Sequence, residues 1–213
     1  MPDLILALDV LERASAEKIV QATCDSIDAI KLGYPLVLAQ GLSIARRLQE
    51  ISTDMPFIAD FKVADIPNTN RLIAEQVFNA GFKSIICHGF PGSDAITACA
   101  DVAHDAGGRC FVVAEMSHPG ACAFYHGGIA QQIAEMAIES GADGIIAPAT
   151  RPDRVKVLRE IIGDALIYSP GIGTQGGDAK EIASLVDGMI VGRSIYEASD
   201  PKAAAAEYAK FRT

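Results

Sequence analysis

The stretch Pro56-Phe57-Ile58-Ala59-Asp60-Phe61-Lys62-Val63-Ala64-Asp65-Ile66-Pro67 contains the strongest structural signal in the sequence. It begins as a short apolar run, which is typical of a strand covered on both faces. Two carboxylates and one ammonium then follow closely. In an extended chain, residues two apart share a face, so Asp60 and Lys62 point the same way. Opposite charges are costly to desolvate, whereas a positioned proton donor gives a functional reason for placing them at a strand end.

Similar apolar runs recur along the chain, and the segments between them show the periodicity of amphipathic helices. A repeated strand-plus-helix unit predicts an α/β fold, and eight such units predict a (β/α)8 TIM barrel. A doubly wound open sheet is the alternative, but it usually needs fewer units. The predicted strands are Leu4–Leu8, Ala29–Leu32, Phe57–Phe61, Ser84–Cys87, Cys110–Met116, Gly144–Ala147, Leu166–Ser169 and Gly188–Val191.

Composition limits the classes of protein that the chain can represent. Half of the 213 residues are hydrophobic and no linker interrupts them, so we predict one catalytic domain over residues 1–213. The net charge of −9 argues against a nucleic-acid or anionic-membrane surface. No signal peptide is evident, and no apolar run approaches the roughly 20 residues of a membrane span. Five cysteines without a C-x-x-C pair are typical of a cytoplasmic protein with reduced thiols.

Polar residues cluster at the predicted carboxyl ends of the strands, where barrel enzymes have their active sites. The seventh of these ends opens into the glycine-rich loop 169–178, and the eighth ends at Gly192-Arg193. Glycines free backbone N–H groups to face an anion, and these two loops are the usual phosphate site of the fold. The polar residues at the other ends are Asp9, Lys31, Asp60, Lys62, His88, Ser117 and Thr150.

The histidines do not indicate a metal site. Positions 88, 104, 118 and 126 lack metal-ligand spacing, and no H-E-x-x-H, nucleophile-elbow or dinucleotide motif is present. We predict that His88, at the end of the fourth strand, supports the site through hydrogen bonds. The long segment 117–128, which follows the fifth strand, is predicted to act as a lid or as a wall that recognises a base.

Taken together, these segments resemble one family closely, the orotidine 5′-phosphate decarboxylases. The resemblance extends over nearly the whole chain, and the short length is similar to that of the archaeal and related bacterial branch. Its most specific element is D-x-K-x-x-D-I-P followed by Thr69. The matching segments are Leu6-Ala7-Leu8-Asp9, Lys31-Leu32-Gly33-Tyr34-Pro35, Asp60–Pro67, Glu115-Met116-Ser117-His118-Pro119-Gly120, Ser169-Pro170-Gly171, Gln175-Gly176-Gly177 and Val191-Gly192-Arg193-Ser194-Ile195.

The resemblance implies a homodimeric carboxy-lyase of pyrimidine biosynthesis. It would convert orotidine 5′-monophosphate (OMP) to uridine 5′-monophosphate (UMP) and CO₂ without a metal or organic cofactor. In the catalytic set it implies, Lys62 protonates pyrimidine C6, Asp60 lies beside the departing carboxylate, and Lys31 links the charged network to the ribose. Asp65 completes this set from the neighbouring subunit.

The resemblance also implies a set of substrate-binding residues. Asp9 and Lys31 contact the ribose, Ser117 reads the pyrimidine edge, and Gln175 and Arg193 hold the phosphate. Ile66 and Thr69 are implied, like Asp65, to reach into the neighbouring subunit's site. The remaining residues of the implied binding set are Pro170, Gly171 and Gly192.

Three other functions fit the sequence less well. Mg²⁺-dependent sugar-phosphate decarboxylases and synthases of the same suprafamily resemble the D-x-K-x-x-D segment, but they place a carboxylate on the second strand's end. Lys31 occupies that position and would repel Mg²⁺. A non-catalytic phosphate-binding barrel would not need Lys62 between two acids. Ribulose-phosphate epimerase chemistry requires paired acids and histidines on a metal, and this sequence does not show that pattern.

Overall fold

The computed structural model describes residues 1–212, and within them eight parallel strands close into one barrel. Closure follows from the pairing of the first strand with both the second and the eighth, through Ile5 with Ala29 and Leu4 with Met189. The predicted (β/α)8 barrel is therefore confirmed, and the open sheet is wrong. The strands are β1 (Asp3–Leu8), β2 (Ala29–Gly33), β3 (Phe57–Val63), β4 (Ser84–His88), β5 (Arg109–Val113), β6 (Gly144–Ile146), β7 (Leu166–Pro170) and β8 (Gly188–Val191).

Helices follow the strands and cover the outside of the barrel. They are α1 (Arg13–Thr23), α2 (Tyr34–Gln40), α3 (Ile44–Gln49), α4 (Pro67–Asn79), α5 (Ser93–Asp105), α6 (Cys122–Tyr125), α7 (Ile129–Glu139), α8 (Pro152–Ile162), α9 (Ala179–Ile182), α10 (Arg193–Tyr196) and α11 (Pro201–Ala209), with 3₁₀ turns at Pro119–Ala121 and Lys210–Arg212. Among the described residues, none of these helices has the length and apolarity needed to cross a bilayer. The predicted domain 1–213 extends to Thr213, which lies outside the described residues.

The fifth strand is shorter than its apolar run predicts. The expected strand Cys110–Met116 is wrong at its carboxyl end, because the ladder stops at Val113. The backbone N–H groups of Ala114 and Glu115 both donate to the carbonyl of Ile146. Two successive donors that share one acceptor break the strand repeat, so the chain turns towards the barrel mouth at this point.

Alternating side chains divide the core into an inner and an outer layer. Ile58, Phe111 and Tyr168 belong to the inner layer, and the rings of Phe111 and Tyr168 stack with their centroids 4.3 Å apart. A larger cluster lies between the strands and the helices. The position two residues beyond the inner layer, at or just past the strand end, is polar for each of the first five strands. These positions are Asp9, Lys31, Asp60, His88 and Glu115.

Aspartates stabilise the opposite end of the barrel. Asp28, Asp143 and Asp187 each precede a strand, and the carboxylate of each accepts the backbone N–H of a residue in the neighbouring strand. The donors are Leu4, Cys110 and Ile167, at 2.7 to 2.8 Å. Each aspartate thereby ties its own strand to the adjacent one, which holds the register that aligns the carboxyl ends.

Candidate active site

One cavity of about 210 Å³ opens at the carboxyl ends of the strands. All residues of the predicted catalytic and substrate-binding sets except Asp65, Ile66 and Thr69 line this cavity. Other residues also line it, among them Glu115, Thr174 and Tyr196. The predicted residues that line the cavity are Asp9, Lys31, Asp60, Lys62, Ser117, Pro170, Gly171, Gln175, Gly192 and Arg193.

A buried carboxylate between two ammonium groups forms the centre of the site. Asp60 Oδ2 lies 2.5 Å from Lys31 Nζ, and Asp60 Oδ1 lies 2.7 Å from Lys62 Nζ. Asp60 is 9% exposed, and its burial by itself opposes ionisation. The two lysines outweigh that effect and lower the pKa of Asp60 to about 2. Both carboxylate oxygens are therefore fixed as acceptors, and each holds one ammonium in place.

Lys31 reaches the site from the end of β2. It is 6% exposed, and burial alone would lower its pKa, but the charges of Asp60 and Asp9 raise the pKa overall. The structure thus places a permanent positive charge beside Asp9 and Asp60. A divalent cation at this position would be repelled by Lys31. Within residues 1–212, no group of three or more potential metal-ligating side chains comes together.

Lys62 has an unusual backbone conformation. Its φ is +46°, in the left-handed region that non-glycine residues rarely adopt. The pairing of β3 with β4 shifts register between Ala59 and Val63, so Lys62 lies in an irregular segment of the strand. The distortion turns the side chain towards Asp60 and the cavity, and it leaves the side chain 36% exposed. Of Lys31, Asp60 and Lys62, Lys62 is therefore the one most open to an incoming ligand.

His88 stands beside this charged array, and its surroundings disfavour the protonated ring. Burial and the positive charge of Lys62 lower its pKa, and Asp60 only partly opposes them. Its Nδ1 atom is buried and has no hydrogen-bond partner among residues 1–212. The ring lies 5.0 Å from the ring of Phe90 between centroids. The predicted hydrogen-bonding support through His88 stays a prediction.

A second charged network lies under the mouth of β5, and the sequence did not indicate it. Glu115 is completely buried and pairs with Arg151, at 2.8 Å, and with Arg154. Arg151 also donates to the carbonyls of Met116 and Ser117. The network therefore fixes the backbone that presents Ser117. Only the presence of a glutamate inside an apolar run could have pointed to it, because both arginines are distant in sequence.

The glycine-rich loop 169–178, here called the lid loop, lies over the cavity. Gly171 has a φ of +98°, which favours glycine, and the loop then turns across the barrel mouth. The hydroxyl of Ser117 donates to Oε1 of Gln175 at 2.8 Å, so the loop is bonded to the rim of β5. Arg193 approaches from the end of β8 and lines the same cavity. The two predicted phosphate contacts thus face one space from different strands.

Three predicted residues lie away from the cavity of their own chain. Asp65, Ile66 and Thr69 follow β3, and none of them lines the cavity. Ile66 is 65% exposed, and the carboxylate of Asp65 accepts the backbone N–H of Ile66 at 2.7 Å. No cation of residues 1–212 forms an ion pair with Asp65. The structure therefore does not join Asp65 to the Lys62 of the same chain.

Known proteins are similar to this chain in sequence and in fold over nearly its whole length. An orotidine 5′-phosphate decarboxylase from Methanosarcina mazei is 56% identical over 209 residues, which cover 97% of this chain and 93% of that protein. The crystal structure of the Methanocaldococcus jannaschii enzyme complexed with inhibitor BMP matches with a TM-score of 0.94 at 44% identity, over 99% and 98% of the two chains. The Pyrococcus horikoshii OT3 enzyme matches with a TM-score of 0.89 at 43% identity, over 98% of each chain.

A family of known sequences also matches nearly the whole chain. The family model described as orotidine 5′-phosphate decarboxylase / HUMPS family matches residues 2–208. The predicted family and enzyme class, a carboxy-lyase similar to archaeal relatives, are confirmed. This chain belongs to the orotidine 5′-phosphate decarboxylase / HUMPS family.

Proposed function

We propose that this chain converts OMP to UMP and CO₂ with its own side chains, without a metal or organic cofactor. The observation that carries the proposal is the array of Lys31, Asp60 and Lys62, in which one buried carboxylate holds two ammonium groups at the wall of the cavity. A sugar-phosphate reaction that depends on Mg²⁺ is disfavoured, because Lys31 stands where a metal-binding carboxylate would be required.

Lys62 acts as the electrostatic and proton-donating group. Loss of CO₂ leaves a carbanion at an sp² carbon that has little delocalisation, so catalysis must supply on the order of 20 kcal/mol. An ammonium next to that carbon stabilises the developing charge and then transfers its proton. Asp60 holds Nζ of Lys62 at 2.7 Å before the substrate arrives, so little reorganisation is needed during the reaction.

The other charged groups orient the substrate. Asp9, which lines the cavity beside Lys31, accepts a hydrogen bond from a ribose hydroxyl, and Lys31 links that region to Asp60. Gln175 and Arg193 hold the phosphate far from the reacting carbon. Phosphate binding then stabilises the covering lid loop and helps to exclude water, so remote binding energy supports the chemical step.

The proposed assembly is a cytoplasmic homodimer in which Asp65, Ile66 and Thr69 complete the neighbouring site. These residues lie outside their own cavity, which supports a role in another subunit. Large apolar side chains are exposed in the segments that follow β2, β3 and β4, and exposed apolar surface is typical of a protein interface. They are Tyr34, Ile66, Leu72 and Phe90, exposed by 48% to 65%.

Turnover of OMP is the direct test of this proposal. Decarboxylation, followed by the ultraviolet absorbance of the pyrimidine, is expected to proceed at the same rate in excess EDTA, because each proposed step uses a side chain of the protein. The same assay with added Mg²⁺ serves as the control. Turnover that stops with EDTA and returns with Mg²⁺ would contradict the metal-free reaction.

Arg193→Ala is expected to weaken phosphate-bearing ligands selectively. A charge-assisted contact contributes about 1.5–3 kcal/mol, so the Kd of UMP is expected to rise roughly 10-fold to 150-fold. The Kd of uridine, which lacks the phosphate, should stay within about twofold. Calorimetric titration of both ligands makes the comparison. Equal losses for uridine and UMP would remove Arg193 from the phosphate site.

A further inference from the structure

The lid loop is also bonded to α10, the short helix that follows β8. The backbone N–H of Thr174 donates to Oγ of Ser194 at 2.9 Å. Oγ1 of Thr174 lies 2.9 Å from the same Ser194 oxygen, and either hydroxyl can donate in this second bond. The Ser194 hydroxyl therefore accepts a hydrogen bond from the backbone N–H of Thr174 and forms a second hydrogen bond with the Thr174 side chain. This pair uses no group that the proposed chemistry requires.

The position of this pair relative to the phosphate site suggests its role. Thr174 directly precedes Gln175, and Ser194 directly follows Arg193. Each member is thus one residue away from a group proposed to hold the phosphate. A bond between the members fixes the distance between those two groups, which belong to segments after different strands.

A close approach of the backbone makes this contact possible. At Gly173 the φ is +74°, and a Cβ there would lie 2.3 Å from Oγ of Ser194 and 2.4 Å from the hydroxyl oxygen of Tyr208. Any larger residue would push the loop away from both hydroxyls. Tyr208 belongs to α11, so the last helix supports the loop from behind. The loop is therefore seated closely against α10 and α11 at the point where Thr174 meets Ser194.

We propose that Thr174 and Ser194 form a latch that holds the lid loop closed over a bound nucleotide. They are positioning residues: they act through Gln175 and Arg193 and do not contact the reacting atoms. The latch slows the release of ligands whose phosphate occupies the space between those two groups. This inference rests on the proposed function, because the nucleotide is the ligand that the loop covers.

Ser194→Ala removes the hydroxyl that takes part in both bonds and is the main test. The dissociation rate constant of UMP, measured by stopped-flow, is expected to rise about 10-fold, since each neutral hydrogen bond accounts for a factor of a few. The KM for OMP should rise by a similar factor while kcat stays within about twofold, which is the pattern of lost uniform binding. The dissociation rate constant of uridine should not change.

Thr174 offers a graded comparison. Thr174→Val keeps the shape of the side chain and the backbone bond but loses the hydroxyl, so UMP release should accelerate only about threefold. Thr174→Ser keeps the hydroxyl and should restore slow release. In the double variant Thr174→Val/Ser194→Ala, the two effects should be less than additive, because both substitutions remove the same bond.

Ser184→Ala is the matched control. Ser184 is exposed and precedes β8, at the end of that strand opposite to the latch, so its loss should leave UMP release unchanged. Unchanged UMP release in Ser194→Ala, or equal acceleration for UMP and uridine, would overturn the latch while leaving the decarboxylase proposal intact. A wild-type protein that binds UMP but does not turn over OMP would overturn the proposed reaction and leave the latch standing. Failure of the wild-type protein to bind UMP would overturn both.

Discussion

Lys62→Ala is expected to lower kcat/KM for OMP by at least about 10⁴-fold, because it removes both the proton donor and the charge that faces the carbanion. Binding of UMP should remain measurable, since the proposed phosphate contacts come from Gln175 and Arg193. The Lys31–Asp60 pair remains intact in this variant, so the site keeps a buried ion pair without an unpaired charge. Single-turnover kinetics and calorimetric titration of UMP separate the two effects.

Lys83→Ala supplies the control for this experiment. Lys83 is exposed and directly precedes β4, at the end of the barrel opposite to the site. Its loss removes one positive charge without touching the cavity, so kcat/KM should stay within about twofold. If Lys62→Ala retained activity within about tenfold of the wild-type protein, Lys62 would not be the donor.

Mixing two inactive variants is expected to restore activity if Asp65 acts in the neighbouring subunit. A dimer that pairs one Lys62→Ala chain with one Asp65→Ala chain has one site with both residues intact. Random assortment makes about half of the dimers mixed, and one of the two sites in each is complete. An equimolar mixture, unfolded and refolded together, should therefore regain about a quarter of the wild-type activity.

The same mixture also tests the alternative, in which Asp65 acts within its own chain. If Asp65 acted on the Lys62 of its own chain, no chain in the mixture would contain both residues, and activity would stay at the level of the separate variants. Each variant refolded alone is the control, and both should remain inactive. Size-exclusion chromatography on the same samples establishes whether dimers have formed.

The barrel was predictable because its strands are buried on both faces. Gly188–Val191 is an apolar run bounded by polar residues, and the structure begins and ends β8 at the predicted positions. Asp60 and Lys62 line the cavity, as expected for charges at the end of an apolar strand, because burying them in the apolar core would be costly. The cavity followed from these positions, since parallel strands bring their carboxyl ends together.

Other features depend on contacts that no local pattern encodes. The run from Cys110 to Met116 is continuously apolar apart from Glu115, so hydropathy does not show that the ladder stops at Val113. Arg151 directly precedes α8 and Arg154 lies in its first turn, and only the closed barrel brings these two arginines near Glu115. The left-handed conformation of Lys62 is equally hidden, because lysine has no preference for it. The contribution of Asp65 to another subunit remains a prediction.

The backbone at Lys62 also affects how this protein would change over many generations. A non-glycine residue held at a φ of +46° destabilises the folded state by about 1–3 kcal/mol, and glycine at that position would remove most of this backbone strain. With Lys62 in the proposed role of proton donor, mutation has a short route to an inactive chain with a less strained backbone. In that role, demand for the reaction keeps a lysine at this position, so a lineage that no longer needs the product is expected to lose Lys62 well before it loses the barrel.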